Sequence, residues 1–230
     1  QAMVSRVARL SAIHTEIFHC TKCPLHEGRT HTVPGAGDPD ADILFIGEAP
    51  GQREDEQGLP FVGRSGQLLE ELLRTIKLTR NDVFIANVIK CRPPNNRNPE
   101  PQEIDACNPY ITAQIDVLDP LMIVTLGKFG MQMFFPNERS ITKIHGKERY
   151  GTRRVYYPLY HPAYALRQQS AKVELFEDFA RIPDLLAEVR RRRESGELGD
   201  NPEPVEVEEI VQEPESTTDD DSPKQISLFD

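Results

Sequence analysis

Three segments of the sequence place residues that can do chemistry directly after, or at the end of, apolar runs. Glu48 follows the run DILFIG, Asn87 lies near the end of VFIANVI, and His161 follows RVYYPLY. A carboxylate can act as a general base, and an amide can read the donor and acceptor pattern of a ligand. A histidine can donate a hydrogen bond to charge that develops during a reaction. These residue types indicate a candidate catalytic or binding site.

An isolated aromatic residue, Phe61, lies between Pro60 and Gly63 in the loop that follows Glu48. Proline and glycine hold such a loop in a tight turn, so the ring is a rigid surface on which a planar ligand can stack. Gly47 and Gly51 bound the preceding turn, and its backbone N–H groups are further candidate donors. Each residue also has an ordinary local role open to it, so the interpretation depends on whether these residues meet at one place.

The pattern of the chain predicts how these residues are positioned. Short apolar runs rich in β-branched residues predict strands covered on both faces, at residues 42–47, 83–89, 121–127 and 154–160. Helical patterns alternate with them, at residues 3–18, 67–77, 101–118, 129–135 and 171–193. Alternating strands and helices predict an α/β fold, in which a parallel sheet carries helices on both faces. Ligands bind beyond the carboxyl ends of such strands, where the candidate residues are expected to converge.

The charge of the chain is divided unevenly between its two parts. The 230 residues carry a net charge of -10, but residues 194–230 hold 13 acidic residues and one lysine, so residues 1–193 carry +2. We therefore interpret residues 1–193 as a folded body open to an anionic partner. Residues 194–224 have the acidic, proline-rich composition of a disordered linker. The chain has neither a membrane-spanning apolar run nor a secretory signal, which predicts a cytoplasmic protein.

The four cysteines, Cys20, Cys23, Cys91 and Cys107, form a second candidate site. Disulfides are disfavoured in a cytoplasmic chain, and the C-x2-C pair can present two thiolates to one metal. Four sulfur ligands suit either Zn²⁺ or an iron–sulfur cluster, and spacing does not separate the two. His145 is a rival zinc ligand, and four unpaired thiols remain the other alternative.

Several of these motifs together resemble one known family. The segments GEAPGQREDEQGLPFVGRSGQLL, NVIKCRPPNNRNP and HPAYALR, with four cysteines in this order, are similar to the family-4 uracil-DNA glycosylases over about residues 8–190. The resemblance implies a three-layer α/β/α sandwich with a central four-stranded parallel sheet. It also implies a structural [4Fe-4S] cluster on the four cysteines and excision of uracil from DNA.

The resemblance also assigns roles to the candidate residues. Phe61 would stack on an extruded uracil, Asn87 would read its hydrogen-bonding edge, and His161 would donate to its O2 atom. Backbone N–H groups of the turn from Gly47 to Gly51 would assist. Another branch of the superfamily carries an aspartate where this chain has Ala49, so Glu48 is the candidate for activating water.

Three further sets of residues are expected to contact the substrate. Glu54 matches a family position near C5 of the pyrimidine, where a side chain would exclude the methyl group of thymine. Ala165 or Leu166 falls where the superfamily has an intercalating loop. Basic residues in loops beside the proposed edge are candidates for phosphate contacts, Arg97, Arg167 and Lys128 foremost; the others are Arg92, Lys143 and Arg153.

Other branches of the superfamily, an electron carrier and a non-catalytic DNA-binding module are the alternative functions. A DNA-crosslinking branch carries an inserted loop with a reactive histidine, whereas the segment from Cys91 to Cys107 contains no histidine. A more promiscuous branch lacks the glutamate found here at Glu48. An electron carrier would not need Phe61, and a non-catalytic DNA-binding module would bind DNA without releasing the base. The protein is expected to be a monomer that associates with the nucleoid.

The last six residues, QISLFD at 225–230, differ in composition from the acidic linker. They resemble short peptides that bind the sliding clamps of bacterial replication. In that interpretation Gln225 hydrogen-bonds at the clamp surface, and Leu228 and Phe229 fill an apolar pocket. The sequence thus predicts three parts: a catalytic body at 1–193, a linker at 194–224 and a clamp-binding peptide at 225–230.

Overall fold

A mixed six-stranded sheet forms the middle layer of the computed structural model, which describes residues 5–198. The order of its strands across the sheet is β1-β3-β2-β4-β6-β5. The strands, in chain order, are β1 (Ala36–Gly37), β2 (Ile43–Gly47), β3 (Phe84–Asn87), β4 (Met122–Leu126), β5 (Arg149–Tyr150) and β6 (Val155–Leu159).

Helices alternate with these strands along the chain. In chain order they are α1 (Arg6–Phe18), α2 (Leu25–Gly28), α3 (Gln52–Gln57), α4 (Arg64–Thr75), α5 (Pro101–Leu118), α6 (Lys128–Gln132), α7 (Ile141–Ile144), α8 (Pro162–Ala165), α9 (Gln169–Ala180) and α10 (Ile182–Glu194), with a 3₁₀ turn at Pro94–Asn96.

The four central strands, β3, β2, β4 and β6, are parallel, which confirms the predicted α/β architecture. The predicted number of strands was too low, because β1 and β5 add an antiparallel strand at each edge. Each edge strand has only two residues, too few to form an apolar run that sequence patterning can detect. The edge strands do not alter the parallel centre that positions the candidate site.

The core lies on both faces of the sheet, because successive side chains of a strand point to opposite sides. On β2, Ile43 and Phe45 pack in the cluster that includes residues of α4, α9 and α10. Leu44 and Ile46 pack in the opposite cluster, with residues of α1 and α5. The apolar run of β2 is therefore continuous because both of its faces are covered.

The predicted closing helix, residues 171–193, is in fact two helices. It breaks at Arg181, which ends α9 and begins α10, and Pro183 lies in the first turn of α10, where its missing N–H is tolerated. Helix α10 ends at Glu194, and Leu198 is buried in the core. Among the described residues, no helix is long and apolar enough to cross a membrane.

Candidate active site

The carboxyl ends of β2 and β3 meet where Gly47 pairs with Asn87 across the two parallel strands. A Cβ atom placed on Gly47 would lie 2.5 Å from Oδ1 of Asn87 and 2.7 Å from Cζ of the Phe61 ring. Both distances are far below van der Waals contact, so only glycine fits here. The absence of a side chain at Gly47 therefore lets the ring and the amide come together, as the sequence predicted.

Phe61 has an unusual backbone conformation for an aromatic residue. Its φ is +52°, in the left-handed region, and its side chain is buried. Its ring centroid lies 5.7 Å from that of His161, with 29° between the ring planes. Phe61, Asn87 and His161 are thus brought to one edge of the sheet, although they are far apart in sequence.

Asn87 presents a buried polar atom that has no protein partner. The side chain is 2% exposed, and its Oδ1 makes no hydrogen bond to any described residue. A buried acceptor without a partner costs about 1–3 kcal/mol. An unsatisfied acceptor beside an aromatic ring is therefore suited to a ligand that donates a hydrogen bond.

His161 is oriented by the helix that it caps. Its Nδ1 accepts a hydrogen bond of 3.0 Å from the backbone N–H of Ala163 in α8, which leaves the proton on Nε2. Burial, followed by the positive charge of Arg167, lowers the pKa of His161 to about 4. The imidazole is therefore neutral near pH 7 and can donate a hydrogen bond through Nε2.

Glu48 follows β2 and is partly buried. Its backbone oxygen accepts a hydrogen bond from the N–H of Ile89, which fixes the start of the turn. Burial raises the pKa of its carboxyl group above the ordinary value. A carboxylate with a raised pKa is a stronger base than an exposed one, so Glu48 has the chemistry that activation of water requires.

Glu54, in α3, contacts the loop that carries Phe61. Its Oε1 accepts hydrogen bonds from the N–H groups of Val62 at 2.8 Å and Gly63 at 2.7 Å. A Cβ atom on Gly51 would lie 2.8 Å from its Oε2, so the side chain also packs against the start of α3. The structure thus gives Glu54 a structural task in the site, and its predicted contact with the pyrimidine stays a prediction.

The three foremost basic candidates have different surroundings. Arg97 makes two hydrogen bonds to the buried carboxylate of Glu103, at 2.7 and 2.9 Å, so its guanidinium is engaged within the protein. Lys128 is exposed in the first turn of α6, directly after Gly127, whose Cβ position would lie 3.0 Å from Cβ of His161. Arg167 is exposed and close enough to affect His161. Lys128 and Arg167 therefore border the site.

The short helix α8 presents apolar side chains next to His161. Leu166 is 37% exposed and Tyr164 is 41% exposed, whereas Ala165 is buried. Of the two residues predicted to intercalate, only Leu166 is accessible in this conformation.

The four cysteines line a single cavity. Cys91 and Cys107 are buried, and Cys20 and Cys23 are partly buried. Nη1 of Arg29 donates to the sulfur of Cys91 at 3.2 Å. Burial raises the pKa of the Cys107 thiol to about 11, so a bound cation is needed to favour its thiolate.

The donor set of this cavity fits an iron–sulfur cluster, since four thiols and N–H donors to sulfur surround one space. Within the described part of the chain, no group of three or more His, Cys, Asp or Glu side chains is arranged to hold a metal ion without some rearrangement. The rival zinc ligand, His145, does not line the cavity and instead bonds to Asp178 through Nδ1 at 2.8 Å.

A buried lysine connects the cysteine cavity to Asn87. The backbone N–H of Lys90 donates to the sulfur of Cys107 at 3.3 Å. Its Nζ atom donates to the backbone oxygen of Asn87 and to Oε1 of Gln114, each at 2.8 Å. Cys107 and the Asn87 strand end therefore share one hydrogen-bonding residue.

Sequence reasoning missed Lys90, Gln114, Gly66 and Arg80. The sequence does contain a signal for Lys90. It lies between an apolar run and Cys91, a position where a lysine is expected to be buried rather than on the surface. Gly66 could have been noticed, because it lies in the same motif segment as Phe61. Arg80 had no signal, because in the Phe61 loop it binds the backbone carbonyl groups of Pro60 and Phe61, which lie 20 and 19 residues away in sequence.

Comparisons with known proteins agree with this geometry. The model of the uracil DNA glycosylase superfamily matches residues 34–182. A type-4 uracil-DNA glycosylase of Sulfurisphaera tokodaii is 46% identical over 191 residues, which cover 79% of this chain and 87% of that protein. One from Thermotoga maritima is 45% identical, over 73% of this chain and 88% of that protein.

A more distant relative belongs to another type. A type-5 uracil-DNA glycosylase of Thermus thermophilus is 32% identical over 44% of this chain and 52% of that protein. The similarity to type-4 proteins is therefore higher in identity and extends over much more of the chain. The chain belongs to the uracil-DNA glycosylase superfamily and, within it, to the type-4 uracil-DNA glycosylases.

Proposed function

We propose that this protein removes uracil from DNA by hydrolysing the N-glycosidic bond, with the extruded base held between Phe61, Asn87 and His161. The buried and unpartnered Oδ1 of Asn87, beside the Phe61 ring, carries this proposal. An enzyme that acts on a base must first take it out of the helical stack. A non-catalytic or crosslinking role is not favoured, because the type-4 relatives are glycosylases by name.

Asn87 accounts for the choice of base. Its Oδ1 accepts a hydrogen bond from N3–H of uracil, while its amide nitrogen donates to O4. Cytosine has the opposite pattern at both positions, so it would leave two buried polar groups unpaired. Such mismatches discriminate strongly, whereas a single methyl group is worth only about 1–3 kcal/mol.

His161 accounts for the stabilisation of the leaving group. Negative charge grows on O2 of uracil as the glycosidic bond breaks, and a neutral imidazole with its proton on Nε2 can donate to that atom. The hydrogen bond strengthens only as the charge develops, so it lowers the barrier more than it tightens binding. The bond between Nδ1 and Ala163 maintains this tautomer.

Glu48 has two roles open to it in hydrolysis. The carboxylate can accept a proton from the attacking water, and its negative charge can oppose the positive charge that develops on the sugar. Its raised pKa supports the first role.

Cys20, Cys23, Cys91 and Cys107 would hold a [4Fe-4S] cluster. When bound, the cluster supplies a rigid crosslink between chain segments around residues 20, 91 and 107. Lys90 then has fixed surroundings from which to support the backbone of Asn87.

DNA contacts would come from the basic side chains that border the site. Lys128 and Arg167 are the main candidates for phosphate contacts, since both are exposed. Leu166 would enter the space that the extruded base vacates.

A sliding clamp would bind Gln225, Leu228 and Phe229, which lie outside the described residues. This binding would raise the local concentration of the enzyme on DNA.

The activity is tested with a uracil-containing oligonucleotide, which the protein should convert to an abasic site without breaking the strand.

His161→Ala should lower the single-turnover rate by about 10²–10³-fold, because one donor to the developing charge is lost. DNA binding should change little. Asn87→Asp should lose the preference for uracil. Binding of the oligonucleotide without release of uracil by the unmodified protein would contradict the proposal.

The lowered pKa of His161 also predicts a pH dependence of stability. Its pKa in the folded protein, about 4, lies below the unfolded value of 6.5, so the unfolded chain takes up the proton first as the pH falls. The stabilising effect of the neutral ring is therefore complete above pH 6.5 and is lost between 6.5 and 4. The free energy of unfolding should fall more steeply for the wild type than for His161→Gln, between about pH 7.5 and about pH 5. Parallel pH profiles of the two proteins would refute this assignment.

The cluster proposal predicts the metal content and the colour of the protein. Anaerobically purified protein should contain iron and inorganic sulfide in the ratio of a [4Fe-4S] cluster, with broad visible absorption. Cys91→Ser should reduce the absorption and the thermal stability together, because a ligand is replaced. Stoichiometric zinc without iron would overturn the cluster assignment.

The clamp proposal predicts that the end of the chain acts independently of catalysis. Deletion of residues 225–230 should abolish binding to the sliding clamp of the source organism, measured by fluorescence titration, and leave excision on a short oligonucleotide unchanged. Leu228→Ala with Phe229→Ala should reproduce the loss, whereas the control Ser227→Ala should not. The proposal fails if the intact chain has no affinity for the clamp.

A further inference from the structure

The loop of residues 60–63, here called the platform loop, is held by two charged side chains from different elements. Glu54, in α3, accepts hydrogen bonds from the N–H groups of Val62 and Gly63. Arg80 lies in the segment between α4 and β3 and donates to the backbone oxygens of Pro60 and Phe61. One side chain therefore binds the donors of the loop and the other binds its acceptors.

The backbone of Phe61 requires such support. A φ of +52° is rare for any residue with a side chain, and for a bulky one it is a strained conformation. Strain of this kind costs about 1–3 kcal/mol and persists only where the surrounding contacts determine the conformation. Gly66 provides one such contact, since a Cβ atom there would lie 1.7 Å from the carbonyl oxygen of Phe61.

The guanidinium of Arg80 suits this task. Several N–H groups in one plane allow it to bind two successive carbonyl groups at once, which the ammonium of lysine does less well. The side chain is 25% exposed, and its Nη1 also lies 3.4 Å from Oε1 of Glu70 in α4. Arg80 therefore connects the platform loop to the helix that follows it.

We propose that Arg80 is a positioning residue for base excision, which acts by keeping the Phe61 ring in the orientation on which the extruded uracil stacks. This inference rests on the stacking role proposed for Phe61. Because a misplacement of about 1 Å in a site costs up to about 100-fold in rate, removal of Arg80 should slow the chemical step by about 10- to 100-fold.

Arg74→Met provides a matched control for Arg80→Met. Arg74 pairs with the other oxygen of the same Glu70, at 3.5 Å, and contacts no residue of the platform loop in the hydrogen bonds and ion pairs of the described chain. The single-turnover rate of excision should fall in Arg80→Met and stay at the wild-type level in Arg74→Met. Arg80→Lys should retain part of the rate, because one ammonium group can still bind one carbonyl group. Equal rates in Arg80→Met and the wild type would overturn the proposal.

A double-mutant cycle tests whether Arg80 acts through Phe61. If it does, the variant with both Arg80→Met and Phe61→Ala should be no slower than Phe61→Ala alone. Additive losses would overturn the inference and leave the stacking role of Phe61 intact. A wild-type rate for Phe61→Ala would instead overturn the stacking role, and with it this inference.

Amide hydrogen exchange gives a readout that does not depend on activity. The N–H groups of Val62 and Gly63 are bonded to Glu54, so they exchange slowly only while the platform loop keeps its conformation. Arg80→Met, or Arg80→Lys if the former does not fold, should speed exchange at these two positions and leave the central strands unchanged. Unchanged exchange at both positions would refute a positioning role.

Discussion

The close approach of the Phe61 ring and the Asn87 amide over Gly47 sets the geometry on which the rest of the site depends. Strand pairing places Gly47 beside Asn87, and no side chain intervenes. The ring, the amide and the backbone of β2 therefore form one continuous surface. A planar ligand can contact all three only because β2 ends in a residue without a Cβ atom.

The two sides of this surface are fixed by separate sets of contacts. Phe61 is held through its backbone by Glu54 and Arg80, whereas Asn87 is held through its backbone oxygen by Lys90. In each case a charged side chain binds main-chain groups and leaves the side chain of Phe61 or Asn87 available to a ligand. A site that is fixed before the ligand arrives pays less to reorganise during the reaction.

Much of the fold and several site residues could be predicted from sequence because they depend on local patterns. The apolar runs predict the four parallel strands, and the ends of those strands predict that Asn87 and His161 lie at one edge of the sheet, while their roles stay predictions. The edge strands could not be predicted, since two residues carry no periodicity. The sequence does not show that Arg97 has the buried carboxylate of Glu103 as its partner, and its contact with phosphate stays a prediction. Arg80 could not be found because its partners in the platform loop are backbone carbonyls, which have no signature in the sequence.

The three contacts of Lys90 limit how this protein could be redesigned without its cysteines. A buried apolar side chain can in general be exchanged for another of similar volume at a cost below about 1.5 kcal/mol. Here, replacement of Cys107 would take away the sulfur that accepts the Lys90 N–H, and an unsatisfied buried donor costs about 1–3 kcal/mol. The buried ammonium of Lys90 would still need both of its oxygen partners, one of which belongs to Asn87. A cysteine-free variant would therefore have to rebuild the hydrogen bonding of the strand end as well as the packing of the cavity.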